Sequence, residues 1–155
     1  MPNKAPNFKI PSTNSKLLEL KKIKSKYKVL YFYPKDNTPG CTVETKDFNS
    51  LLSQFKKLDC EVIGISKDSM ESHEKFRDKF KIKFDLVADV KKEAIKAYKV
   101  WGKKKFMGRE FMGLIRSTFL LKDDKIIKEW RSVKVKDHAK DCLLYTSPSP
   151  RDNRW

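Results

Sequence analysis

The stretch "KVLYFYPKDNTPGCT", Lys28 to Thr42, joins a run of β-branched and aromatic residues to a loop that ends in a glycine and a cysteine. "KVLYFYP" stops at Pro34, as a buried strand does. After "KDNTPG", residues Thr42 to Leu58 place Phe48, Leu51, Leu52, Phe55 and Leu58 at helical spacing. That spacing predicts an amphipathic helix with Cys41 in its first turn.

The flanking segments extend this strand–loop–helix unit into a fold. "CEVIGIS" (Cys60 to Ser66) reads as a second central strand, and "SMESHEKFRDKF" as a helix with Phe76 and Phe80 on its inner face. "FDLVAD" (Phe84 to Asp89) reads as a short strand and "KKEAIKAYKV" as a short helix, while "RSTFLL" and "KIIKEW" flank "KDD" as a hairpin. Strands alternating with helices and closing on a hairpin predict one α/β sandwich with a mixed central sheet. "VKDHAKD" starts a last helix.

Residues 142–155 break from this pattern. "CLLYTSPSPRD" contains no lysine and two Ser-Pro pairs, and it reads as the in-frame translation of a transposon-type sequencing adapter. The expected organisation is a domain over 1–141 followed by a non-native tail over 142–155.

A chain of 155 residues suffices for one core. Hydrophobic residues make up 39%, so neither disorder nor a membrane span is expected. The opening "MPNKAPNFKIP" lacks the apolar segment of a signal peptide, and three cysteines do not make a disulfide scaffold, so a cytoplasmic location is expected. The net charge of +16 raises the question of nucleic acid. Most of the basic residues are lysines spread along the chain, a pattern of weak, salt-sensitive attraction without base readout, so no specific nucleic-acid partner is expected. Removing the tail, with its two Arg and one Asp, leaves +15 and the same conclusion.

With Cys142 assigned to the tail, two thiols remain. Cys60 opens an apolar strand and reads as buried filler. Cys41 follows Pro39 and Gly40 into a helix start, where unpaired N–H groups and the positive end of the helix dipole favour an anion and hence a thiolate. Several thiol chemistries lack their partners. There is no C-x-x-C for dithiol exchange. "CTVETKDF" has no arginine for a phosphatase loop, and zinc ligands at usable spacing are missing. His73, on a charged helix, and His138, near the end of the chain, read as solvated side chains rather than as bases for the thiol.

Pro34-x-x-x-Thr38-x-x-Cys41 resembles the peroxiredoxin motif P-x-x-x-T/S-x-x-C, and "YFYPKDNTPGCTVE" resembles the peroxiredoxin Q, or bacterioferritin comigratory protein, branch. The similarity continues through "VIGISKDS", "FDLVAD" and "VWGKKKFMGREFMGLIRSTFLL", from about Ala5 to Asp141. The resemblance implies a thioredoxin-like fold and a peroxidase that reduces hydrogen peroxide and organic hydroperoxides through a cysteine sulfenic acid. Residue by residue, it implies Cys41 as the attacking thiolate. Thr38 would offer its hydroxyl to the sulfur and the peroxide, Pro34 would shield the pocket, and Arg116 of "LIRSTF" would stabilise the shared negative charge. Glu44 would orient that arginine. No metal or organic cofactor is implied, and a monomer is expected.

Many members of this branch carry a resolving cysteine five residues after the first, where this chain has Lys46. The helix "MESHEKFRDKFK", a second known location, has none either. The expected cycle therefore uses one cysteine, with thioredoxin, glutaredoxin or glutathione as external reductant. The alternative is a peroxide-sensing protein that acts through mixed disulfides.

Overall fold

The computed structural model describes residues 3–146, so positions 147–155 of the expected tail lie outside the described residues. In chain order the elements begin with β1 (Asn3–Lys4), β2 (Lys9–Ser12), β3 (Ser15–Glu19), β4 (Tyr27–Phe32), α1 (Pro39–Ser50) and α2 (Leu52–Lys57). They continue with β5 (Cys60–Ser66), α3 (Met70–Phe80), β6 (Asp85–Ala88) and α4 (Glu93–Ala97). The last are β7 (Trp101–Phe106), β8 (Arg109–Leu114), β9 (Ser117–Lys122), β10 (Lys125–Arg131) and α5 (His138–Thr146).

The main sheet runs β1-β10-β9-β4-β5-β6-β2-β3. β4, β5 and β6 are parallel neighbours, whereas β9 joins β4 antiparallel, which makes the sheet mixed, as the sequence predicts. β4 is buried along its whole length. Its side chains alternate between two clusters, as the period of two in a strand requires. Leu30 and Phe32 face one cluster, with Ile63, Ile65, Ile95, Tyr98 and Phe119. Val29 and Tyr31 face the other, with Cys41, Phe48, Phe55, Val62 and Leu86. The first face is covered by α4 and the N-terminal segment, the second by α1, α2, α3 and α5.

Three features differ from the sequence expectation. The single helix over 42–58 is two helices broken at Leu51 (φ −96°, ψ 3°). At the break the Ser50 hydroxyl bonds locally, donating to the Asp47 carbonyl at 2.9 Å, while the Asn49 side chain is held from a distance, donating to the Lys81 carbonyl and accepting from the Lys83 N–H. Residues 101–114, with no assigned element in the sequence reading, form the β7–β8 hairpin outside the main sheet. Its two turn residues, Met107 and Gly108, both take positive φ, as a tight hairpin turn needs. Finally, α5 starts at His138 and runs through to Thr146, carrying Cys142 into the core as a fully buried residue. The first residues of the expected tail thus pack against the domain: Tyr145 meets the Trp130 ring edge-on at 5.8 Å.

Candidate active site

The loop after β4 delivers Thr38 to the N-cap of α1 and Cys41 to its first turn. Pro39 starts the helix with a residue that has no N–H to leave unpaired. Cys41 is completely buried. The Arg116 Nη2 donates to its sulfur at 3.3 Å, and Nη1 donates to Glu44 Oε1 at 2.6 Å. Gly40 eases this approach: a Cβ there would stand 3.2 Å from Arg116 Nη2, close enough that the guanidinium would have to give way slightly. Arg116 arrives from the short connection between β8 and β9, so two distant segments meet at the sulfur.

The electrostatics are those of a buried cation holding two acceptors. Burial alone would lower the Arg116 guanidinium, but Glu44 and Cys41 more than offset it and hold it above its ordinary value. Burial raises the Glu44 carboxyl to about 7, against the opposing pull of Arg116. Its second oxygen, Oε2, is buried without a hydrogen-bond partner among the described residues. Lys104 adds a second cation nearby. Its ammonium donates to the Leu114 carbonyl at 2.9 Å, and burial and then Arg116 lower it while Cys41 raises it.

Of the four residues singled out in the sequence, Cys41 and Arg116 are in direct contact. Thr38 and Pro34 lie partly buried in the loop that leads to them. The Thr38 hydroxyl donates to the Lys35 carbonyl at 2.9 Å, so its one proton is engaged within the loop and is not offered to the sulfur in this state. The oxygen still has lone pairs to accept from a peroxide O–H.

Two histidines correct the sequence reading. His73, expected as solvated, is fully buried, with Nδ1 2.7 Å from Asp36 Oδ2 and Nε2 2.9 Å from the Val87 carbonyl. Its place on the Phe76 and Phe80 face of α3 was the available signal, outweighed by the charged residues around it. His138 is also buried, with Nε2 2.8 Å from Thr118 Oγ1. Burial holds it down to about 4, helped by Arg116 and opposed by Asp141.

Cys60 behaves as filler. It is buried, its thiol donates weakly to the Glu61 carbonyl at 3.6 Å, and burial pushes it well above the ordinary thiol range. It pairs in register with Tyr27 at the start of β4, whereas the loop to Cys41 leaves from the other end, after Phe32. Five residues of strand separate those levels by roughly 17 Å, far beyond the ~7 Å between Cα atoms that a disulfide tolerates. A cleft of about 730 Å³ lined by Lys4, Leu20, Lys28 and Asp123 also lies at that remote end. A hydroperoxide is small, and the chemistry is marked by the buried sulfur and its cation rather than by volume.

The sequence profile described as the AhpC/TSA family matches residues 1–130. The chain is 47% identical over 141 residues to peroxiredoxin Bcp of Bacillus subtilis, covering 90% of each protein. Among solved structures, peroxiredoxin Q of Xanthomonas campestris superposes with a TM-score of 0.84 at 37% identity, over 90% of this chain and 89% of that one. A structure of the X. campestris bacterioferritin comigratory protein, described for its alkyl peroxide reduction activity, gives a TM-score of 0.84 at 36% identity over the same shares.

Proposed function

The chain belongs to the AhpC/TSA family, as a thioredoxin-fold peroxiredoxin of the Bcp/PrxQ branch and hence a thiol-dependent peroxidase, and on that premise we propose that Cys41 is the reacting sulfur of a one-cysteine cycle. The observation that carries this reading is the 3.3 Å contact between Arg116 Nη2 and a completely buried Cys41 Sγ in the first turn of a helix. A guanidinium and a helix N-terminus both favour negative charge on the sulfur. Cys41 S⁻ attacks the terminal oxygen of ROOH, an S–O bond forms and the O–O bond breaks. The sulfenic acid keeps the O–H, and RO⁻ leaves to take a proton from water as ROH. Charge spread over S, O and O in the transition state is held by Arg116, a preorganised donor in a water-poor site. Thr38 accepts from the peroxide O–H, and Pro34 narrows the entrance.

The separation of Cys60 from Cys41 supports resolution by an external thiol. That thiol attacks the sulfenic sulfur, releasing water and leaving a mixed disulfide, and a second thiol then displaces Cys41 as the thiol. Thioredoxin, glutaredoxin and glutathione all have the required chemistry, in a reducing cytoplasm and with the enzyme as a monomer. No described helix is long and apolar enough to cross a membrane. Organic hydroperoxides as well as hydrogen peroxide fit this reading, supported by the alkyl peroxide activity of the X. campestris relative.

Steady-state consumption of hydrogen peroxide and of an alkyl hydroperoxide, with each reductant in turn, tests the cycle. Cys41→Ser is expected to abolish turnover, and Cys60→Ser to keep it within about twofold of wild type. Loss of turnover in Cys60→Ser while the first oxidation stays fast would overturn the one-cysteine cycle. A single turnover with every reductant would favour the sensor instead.

A further inference from the structure

We propose that His73 is a positioning residue for peroxide reduction: as the doubly protonated partner of Asp36 it fixes residues 34–38, and with them Pro34 and Thr38, in front of Cys41. The proposal rests on Cys41 being the reacting sulfur. Asp36 lies midway between Pro34 and Thr38 in the loop from β4 to α1, and it is buried. Its carboxylate takes three hydrogen bonds, one from Tyr33 at the start of that loop and two from α3. Oδ1 accepts from Tyr33 Oη at 2.6 Å, and Oδ2 faces His73 Nδ1 at 2.7 Å and accepts from Ser72 Oγ at 2.8 Å. Its backbone N–H donates to Asp68 Oδ2 at 2.8 Å, and Asp68 is in turn held by the Ser66 hydroxyl at 2.7 Å. Side chain and backbone of one loop residue are therefore tied to α3 and to the end of β5.

The imidazole decides whether this clamp holds. A carbonyl oxygen can only accept, so Nε2, 2.9 Å from the Val87 oxygen, carries a proton. Nδ1 stands 2.7 Å from a carboxylate oxygen, and two bare lone pairs at that distance would repel. A proton therefore lies between the two, and because Tyr33 and Ser72 both donate to the same carboxylate and so favour its anionic form, we assign that proton to Nδ1. The other groups facing the ring are the Tyr33 hydroxyl, 3.4 Å from Nδ1, and the Ser66 hydroxyl, 3.5 Å from Nε2, with Asp68 behind it. Asp36, Asp68 and His73 bring ligand-type atoms within 4.8 Å of one another, a spacing that a cation could bridge. With both nitrogens facing acceptors, however, the ring has no lone pair free for a metal.

Removing the imidazole leaves Asp36 as a buried carboxylate without its cation, and a buried unpaired charge is costly. The loop relieves that cost by moving Asp36 toward water, and this displaces Thr38 and the start of α1. A purely structural role would lower stability and leave the peroxide step of the folded enzyme unchanged. A positioning role lowers the peroxide step itself and leaves reduction by thiol unchanged.

Two measurements on the full chain decide between them. In wild type at neutral pH, nitrogen-15 spectra of labelled histidine are expected to show both ring nitrogens of His73 protonated, with the Nδ1 proton protected from exchange. A single protonated nitrogen overturns the proposal. In stopped-flow oxidation of folded protein, His73→Ala is expected to lower the second-order rate with hydrogen peroxide about tenfold or more. His73→Asn, which returns an N–H toward Asp36 but not the charge, is expected to recover only part of that loss. A wild-type peroxide rate in folded His73→Ala overturns the proposal, and Asp36→Asn gives the same reading should His73→Ala not fold. If wild-type Cys41 itself does not react, it is the peroxidase reading that fails, while the nitrogen-15 result still stands or falls alone.

Discussion

Arg116 touches two acceptors at once, and the balance between them sets a pH dependence. Glu44, raised to about 7 by burial, is neutral below that pH and a carboxylate above it. Above pH 7 the guanidinium is anchored by a charged hydrogen bond, and below it by a neutral one, a difference of about 1 kcal/mol or somewhat more. Glu44→Gln should therefore leave the peroxide rate nearly unchanged at pH 6 and lower it about three- to tenfold at pH 8. The variant should also lack the inflection that wild type has near pH 7. Rate profiles that run parallel across that range would remove Glu44 from the site's charge balance. Arg116 also explains its neighbour, since Gly40 leaves room for the guanidinium that any larger residue would press upon.

Helix α1 is held along its length by contacts to the sheet and to α3. Tyr31 of β4 donates to Thr45 Oγ1 at 3.0 Å and stacks on Phe48 with ring centroids 4.6 Å apart. Lys46, five residues after Cys41, sits over the Phe80 ring at 5.4 Å. Asn49 donates to the Lys81 carbonyl and accepts from the Lys83 N–H. These contacts hold α1 in the arrangement that sets Cys41 beside Arg116. The tightest point lies one strand away. Gly64 pairs in register with Tyr31, and a Cβ there would fall 2.7 Å from the Tyr31 hydroxyl and 3.0 Å from Leu86. Gly64→Ala is expected to destabilise the fold by about 1–3 kcal/mol through overpacking, and to slow Cys41 oxidation as Tyr31 shifts against α1. A melting temperature equal to wild type would show that the strand absorbs the methyl group.

At the scale of the whole molecule, α5 closes the face of the sheet that carries α1. His138 packs edge-on between Phe48 and Trp130, with ring centroids 6.0 and 5.7 Å away. It takes up a proton only near pH 4 when folded and near 6.5 when unfolded. Between those values the unfolded chain binds a proton that the fold does not, so stability is lost as pH falls from about 6.5 to about 4, by about 3 kcal/mol in all. Glu44 acts with the opposite sign, since its raised value makes the fold bind the extra proton between 4.5 and about 7. Comparing wild type with His138→Gln separates the two. Urea midpoints are expected to converge, or to cross in favour of the variant, as the pH is lowered from 7 to 4. A constant gap over that range would mean that His138 is not the acid-sensitive group.

The stretch from Lys28 to Thr42 determined by itself that a buried strand hands a cysteine to a helix start, because residue period, proline and glycine act locally. The alternating α/β order followed in the same way, and with it the sandwich and its mixed sheet. The resemblance carried by Pro34, Thr38 and Cys41 pointed to the family. What depended on distant segments meeting was not legible: the approach of Arg116 over Gly40, the unpartnered oxygen of Glu44, and the separation of Cys60 from Cys41. The buried state of His73 and His138 belongs to the same group. In sequence both sit among charged residues and look solvated. In the fold, Asp36, Val87 and Thr118 supply the acceptors and polar partners that let an imidazole leave water, and those partners lie 37, 14 and 20 residues away. Local patterning is encoded where the residues stand, whereas the burial of a polar group is decided only when its partners arrive.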